Sequence, residues 1–250
     1  MNTTLTIAER YGGPPGCANG GFVCGLLAEQ LAAERVVQPG GLVGAVQVRL
    51  RRPTPLGTEL ALERGAPGVV LRQGAELLAE ASEVAEEAVE AAPPPALLWG
   101  PELLSAARAA AARFAGHEAH PYPSCFVCGP LRALGEGLRI FAGPDATGAG
   151  VAAPWVPEAW CADATGSVPV PLLWAALDCP GYFAVARAGE RALLGTMTAQ
   201  VRPGALRAGD ACVVVAWALG AEGRKRHAAT LLYGADGAVC GRSRQLWITV

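Results

Sequence analysis

Hydrophobic and polar positions follow one order of periods twice along this chain. In the first half, Thr4 to Glu9 forms a short strand candidate, followed by a Gly- and Pro-rich loop that ends in Asn19-Gly20-Gly21. Phe22, Val23, Leu26, Leu27, Gln30 and Leu31 then repeat at helical spacing through about Arg35, with Asn19 as N-cap and Gln38-Pro39-Gly40-Gly41 as the stop. Val46, Val48 and Leu50 alternate with Gln47, Arg49 and Arg51, the period of a strand with one buried face. Thr58 to Arg64 and Val69 to Gln73 read as a hairpin around Gly65-Ala66-Pro67-Gly68, and Glu76 to Val84 as a last strand or an acidic helix.

The second half repeats this plan. It is expected to open at Leu138-Arg139-Ile140-Phe141 and to enter an apolar helix at about Val170. Along the next strand, Leu194, Thr196, Thr198, Gln200 and Arg202 are assigned to one face, and Leu193, Met197, Ala199 and Val201 to the other. Cys212 to Leu219 is a continuous apolar run fit for a central strand, Arg226 to Tyr233 forms the next, and Ala235-Asp236-Gly237 turns into Val239 to Thr249. Shared wording at Val48 to Glu59 and Val201 to Asp210 points to internal duplication. Residues 1–91 and 123–250 are therefore the expected halves, with 92–122 a connector that begins at Pro93-Pro94-Pro95 and carries a short helix from Glu102 to Phe114.

One helix followed by about four antiparallel strands is an α+β unit whose sheet wraps a central helix, and two copies would pair edge to edge. A length of 250 residues accommodates both. A 52% hydrophobic and 17% charged composition is globular and suits an internal cavity or a large subunit interface. Net charge is -2 and Lys225 is the single lysine, so binding of nucleic acid by phosphate neutralisation finds no support. The start, Met1 to Ile7, lacks the basic and apolar pattern of a signal peptide, so the expectation is a cytoplasmic protein whose eight cysteines are thiols. Pro169, Pro171, Asp178, Pro180 and Gly181 argue against a lipid-exposed helix, so no membrane partner is expected.

Between Asp163 and Arg187, Asp178 stands as the one charged residue of an apolar stretch. Burying it without a partner costs several kcal/mol or protonates it, so it is hydrogen-bonded, at a cavity wall, or used in chemistry. The bland reading is a side chain that satisfies a helix break at Cys179-Pro180-Gly181. His117, His120, Cys125 and Cys128 form a second cluster of metal-like composition, H-x2-H-x4-C-x2-C, with a knuckle-like Cys128-Gly129. A buried cysteine turn with two surface histidines is the preferred reading there, because structural zinc sites usually draw their second ligand pair from a distant segment. No metal or cofactor is assigned on sequence grounds.

With Gly20-Gly21 opening the first helix, Asp178 on the second, Arg202-Pro203 ending a strand and Gln245 eight residues beyond Gly237, the chain resembles the double-hotdog acyl-CoA thioesterases of thioesterase II type. That resemblance implies a double hotdog, two antiparallel sheets each wrapped around a central helix. It also implies a helix Asp, a strand Ser or Thr and a final-strand Gln that together hold the attacking water. Asp178 and Gln245 match by position. The family's hydroxyl would fall near Leu193, where this chain offers Thr196 and Thr198 a few residues later; Thr198 is the choice, with Thr196 at the substrate. Gly195 and Thr196 replace the family's Asp-His pair.

The substrate so implied is an acyl-CoA or acyl-carrier thioester, with Gly20 and Gly21 presenting backbone N–H groups to the acyl oxygen. Arg224-Lys225-Arg226, Arg242 and Arg244 are either contacts for coenzyme A phosphates or solvated charges. Glu29 and Gln30 are read as solvent-facing helix residues rather than a second site. A non-catalytic acyl-thioester or lipid-binding module is the main rival. A hydratase lacks a well-placed histidine, since His117 and His120 lie in the connector and His227 on a hairpin strand. A zinc-organised interaction protein is the last alternative, and assembly as a homodimer through the sheets is the expectation.

Overall fold

The structure, a computed structural model, describes residues 2–32, 41–65 and 68–250. The expected end of the first helix at Arg35, its stop at Gln38-Pro39-Gly40 and the turn residues Ala66-Pro67 lie outside the described residues. The first half runs β1 (Asn2–Thr6), α1 (Gly20–Ala32), β2 (Val46–Leu50), β3 (Glu59–Gly65), β4 (Gly68–Gln73) and β5 (Glu76–Glu83). Glu76 onward is thus a strand, with Leu78, Ala79 and Ala81 buried in the core. After α2 (Leu103–Ala111) come β6 (Gly143–Pro144), β7 (Val151–Trp155), α3 (Val170–Val185), β8 (Ala192–Val201), β9 (Cys212–Glu222), β10 (Lys225–Tyr233) and β11 (Val239–Thr249).

The sequence reading has the sheets of the two halves pairing edge to edge; among the described residues the strands form one continuous antiparallel sheet of 11, ordered β1-β3-β4-β5-β2-β8-β11-β10-β9-β7-β6. Read outward from the β2–β8 junction, the two sides have the same order, with β7 corresponding to β1 and α3 to α1. The junction pairs Val46 with Ala199 through to Arg49 with Thr196. Its apolar Val46 and Val48 lie beside Met197, Ala199 and Val201, which belong to the same buried core. Both central helices lie against this face and against each other, α1 on β2, β4 and β5 and α3 on β9, β10 and β11.

Two sequence expectations change. The second half does not open on a strand at Leu138–Phe141; the Leu138 and Ile140 amides donate to the Phe126 and Val127 carbonyls at 2.8 and 2.9 Å. The strand in the place that β1 holds in the first half is β7, whose Pro154 masks it in a pattern reading because proline disfavours sheet interiors. Residues 92–122 carry the expected helix. That helix, α2, buries Leu103, Ala107 and Ala110 with Ala152, Val213, Val215 and Leu231, covering the second half's other sheet face. Finally, α3 continues through Pro180 without a break at Cys179-Pro180-Gly181. Among the described residues, no helix is long and apolar enough to cross a membrane.

Candidate active site

Close approach of α1 and α3 creates the site, and glycines on α1 make that approach available. A Cβ on Gly21 would lie 2.4 Å from the Asp178 Cβ, and one on Gly25 would lie 2.5 Å from the Pro171 Cα. Asp178 is consequently seated against the first turn of α1, where it is 2% exposed. Its Oδ2 accepts the Gly21 N–H at 3.0 Å and an Asn19 Nδ2–H at 2.8 Å. Asn19 meanwhile caps its own helix, its Oδ1 accepting the Phe22 N–H at 2.9 Å. One asparagine therefore starts α1 and holds the carboxylate of α3.

The other oxygen of Asp178, Oδ1, is buried with no hydrogen-bond partner among the described residues. Burial pushes the Asp178 carboxyl up to about 7, against the lowering effect of the Gly21 and Asn19 hydrogen bonds. A carboxyl that titrates near neutrality and keeps one oxygen uncommitted has the properties of a general base. Asp178 lines a cavity of about 290 Å³, bounded on its apolar side by Val23, Leu50, Leu193, Leu194, Trp247 and Ile248. Asn19, Gly20, His120, Cys125, Cys128 and Cys179 complete the wall beside it, and Arg51 and Arg52 stand where it meets solvent.

The remaining sequence-assigned residues are placed differently. Gly20 lines the cavity, but Gly21 does not, because its amide is taken by Asp178. Gln245 is buried beneath α3, outside the cavity lining. Its Nε2 donates to the Leu177 carbonyl at 2.6 Å and to the Ser243 hydroxyl at 3.0 Å, while its Oε1 accepts the Trp247 Nε1–H at 2.8 Å. A Cβ on Gly181 would overlap that oxygen, at 1.8 Å. Gln245 thus holds the α3 turn that carries Asp178.

Thr196 and Thr198 are a correction. Both follow the outer face of β8, opposite Met197 of the core, and Thr198 Oγ1 accepts the Gln47 Nε2–H at 3.2 Å. A bulge at Gly195, opposite Leu246 and Trp247, turns Leu194 toward the cavity and leaves Thr196 outside it. The basic tail is also engaged elsewhere. Arg226 pairs with Glu190 at 2.7 Å, and Arg242 and Arg244 reach Gln200 and the Glu90 carbonyl.

Residues beyond the expected set meet in the cavity wall. Cys125 and Cys128 are joined there by Cys179, the neighbour of Asp178, and the three sulfurs lie within 4.8 Å of one another. Hydrogen bonds from the Cys128 and Cys179 thiols draw the Cys125 thiol well below the ordinary range, despite burial. His120 is not a surface histidine, packing against Phe114 and Phe183, whereas His117 is exposed. Adjacency to Asp178 was the one sequence signal for the third cysteine, since Cys179 lies 54 residues from Cys125.

No family model and no curated protein matches the sequence. Solved structures do match it along its length. The tesB protein of Mycobacterium avium subsp. paratuberculosis is 15% identical, with a TM-score of 0.61 over 100% of this chain and 93% of that one. A hot dog fold protein from Alicyclobacillus acidocaldarius is 13% identical, with a TM-score of 0.56 over 100% and 93%. The acyl-CoA thioesterase II TesB2 of Mycobacterium marinum is 15% identical, with a TM-score of 0.52 over 100% and 93%. Hotdog-fold thioesterases, those of thioesterase II type included, are thus the structures that the sequence resemblance and the structural match share, and the fold of this chain is the hotdog fold.

Proposed function

We propose that this chain is a double-hotdog thioester hydrolase, with residues 1–91 and 123–250 as its halves and Asp178 as the general base. The observation that carries the reading is the Asp178 carboxylate, anchored through Oδ2 by the opposite half and left with Oδ1 free on the wall of a mostly apolar cavity. An acyl group occupies the apolar side, and its thioester carbonyl sits between Asp178 and the start of α1. Water attacks the carbonyl carbon as Oδ1 takes its proton. The oxyanion is met by the Gly20 amide at the positive end of the α1 dipole. Collapse breaks the C–S bond, and the leaving thiolate recovers the proton from Asp178.

Gln245 serves as a positioning residue through Leu177, and Thr198 takes no part. Arg51 and Arg52, already paired with Glu80 and Glu76, meet the phosphates of a coenzyme A or pantetheine carrier at the cavity entrance. Reduced thiols at the site fit a cytoplasmic setting.

Acyl-thioester binding without turnover is the second reading. It is favoured by the placement of Thr198 on the far sheet face and by Gln245, whose amide is spent on the protein itself. Release of free thiol from short- to long-chain acyl-CoAs, by wild type and D178N in parallel, separates the two. The expected result is turnover that D178N lowers by roughly 10²- to 10⁴-fold with an unchanged melting temperature. Saturable acyl-CoA binding with no thiol released by wild type would establish the binding module instead.

A further inference from the structure

We propose that Cys125, Cys128 and Cys179 bind one zinc ion through their thiolates, with the fourth coordination position turned to the cavity. The geometry is that of a metal cage. Zinc–sulfur bonds of ~2.3 Å at tetrahedral angles set neighbouring sulfurs about 3.8 Å apart. Cys125 Sγ and Cys179 Sγ are 3.6 Å apart, and all three sulfurs fall within 4.8 Å of one another. Two ligands come from a C-x2-C turn and the third from a helix far along the chain, the arrangement that the local histidine pair could not supply.

The turn itself is built tightly. Gly129 donates its amide to the Cys125 carbonyl at 2.9 Å. A Cβ there would lie 2.5 Å from the Cys125 N and O, so the position requires glycine. Leu138 and Ile140 pin the intervening Phe126 and Val127 carbonyls, fixing both cysteines in orientation.

Hydrogen-bond donors surrounding the cluster are aimed at sulfur. Asn19 Nδ2 lies 3.9 Å from both Cys125 Sγ and Cys179 Sγ. The Tyr122 N–H donates to His120 Nδ1 at 2.9 Å, which puts the ring proton on Nε2, 3.3 Å from Cys128 Sγ. Donors from two directions suit thiolates as acceptors, and thiolates this deeply buried need a cation among them. His120 is then the residue that orients Cys128 through an Nε2–H hydrogen bond, rather than a ligand. Soft thiolates in tetrahedral array select zinc over magnesium or calcium.

This inference is independent of thioester hydrolysis, because it reads on metal content. Elemental analysis of the full-length chain, purified without added metal or chelator, is expected to give one zinc per chain. A thiol-modifying mercurial is expected to release it, and exchange for cobalt(II) to give a thiolate-to-cobalt charge-transfer band with tetrahedral d–d absorption. C179S, C125S and C128S lose the metal, while C17S retains it. H120A keeps the cobalt pattern and binds 10- to 100-fold more weakly. Wild-type protein that is metal-free and gives no cobalt charge-transfer band would overturn the proposal without recourse to any variant. So would a disulfide between two of the three cysteines, detected as a mass loss of two hydrogens, or full zinc occupancy in C179S.

Discussion

Asn19 does two jobs, capping α1 through Oδ1 and holding Asp178 of α3 through Nδ2. Replacing it with alanine leaves the Phe22 amide uncapped and removes one of two donors from a buried carboxylate. Losing a cap costs ~1 kcal/mol, and losing a hydrogen bond to a charged group ~1.5–3 kcal/mol. N19A is therefore expected to melt several degrees lower, and its kcat to fall at least tenfold with little change in KM. A wild-type melting temperature, read by calorimetry, would show that neither bond matters. Asp178 itself was legible in the sequence because a lone carboxylate in an apolar run must have a purpose. The strand hydroxyl was not. Alternation along β8 was continued through Gly195, and a bulge, which no single-sequence period reveals, exchanges the faces on either side of it. Cys179 was missed for a different reason, since its partners are near only after folding.

The α1–α3 seam rests on competing preferences of Gly25. Alanine is the better helix former by about 1 kcal/mol, so propensity alone predicts that G25A stabilises the protein. The added methyl would stand 2.5 Å from the Pro171 Cα and 2.9 Å from the Trp174 Cβ. Backbone cannot retreat cheaply, and overpacking costs typically 1–3 kcal/mol. Packing should win, and G25A should lower the melting temperature, by roughly 2–4 °C per kcal/mol in a chain of this size. A rise would mean that the helices part easily. Most elements could be read from their periods, including β2, the β3–β4 hairpin, α3 and the four closing strands. What periodicity could not supply was the second layer: the helix of the connector was legible but not its packing, because its partners, Val213, Val215 and Leu231 among them, lie on strands whose other face already has a core. A sheet face covered by a connector and one covered by a central helix give the same apolar run, as Cys212 to Leu219 illustrates.

At the scale of the whole molecule, duplication suggests two domains, yet the contacts argue for one cooperative unit. The sheet crosses from half to half through β2 and β8 without interruption. Fully buried Leu27 of α1 and Leu173 and Leu177 of α3 belong to a single core that also includes Leu60, Leu71, Val214 and Leu232 from both sides of the junction. Separating the halves would expose the α1 seam, the edges of β2 and β8, and the Asp178 carboxylate with its Asn19 and Gly21 partners gone. Each of these is costly alone, and an isolated half has nothing to replace them. The full-length chain is accordingly expected to unfold in one calorimetric transition whose van't Hoff and calorimetric enthalpies agree. A fragment of residues 1–91 is expected to show no cooperative melt, because its central helix has lost the partner that its glycines were shaped to meet. Two resolved transitions in the intact chain, or a sharp melt from the fragment, would mean that each half folds by itself and that the site merely forms where they touch.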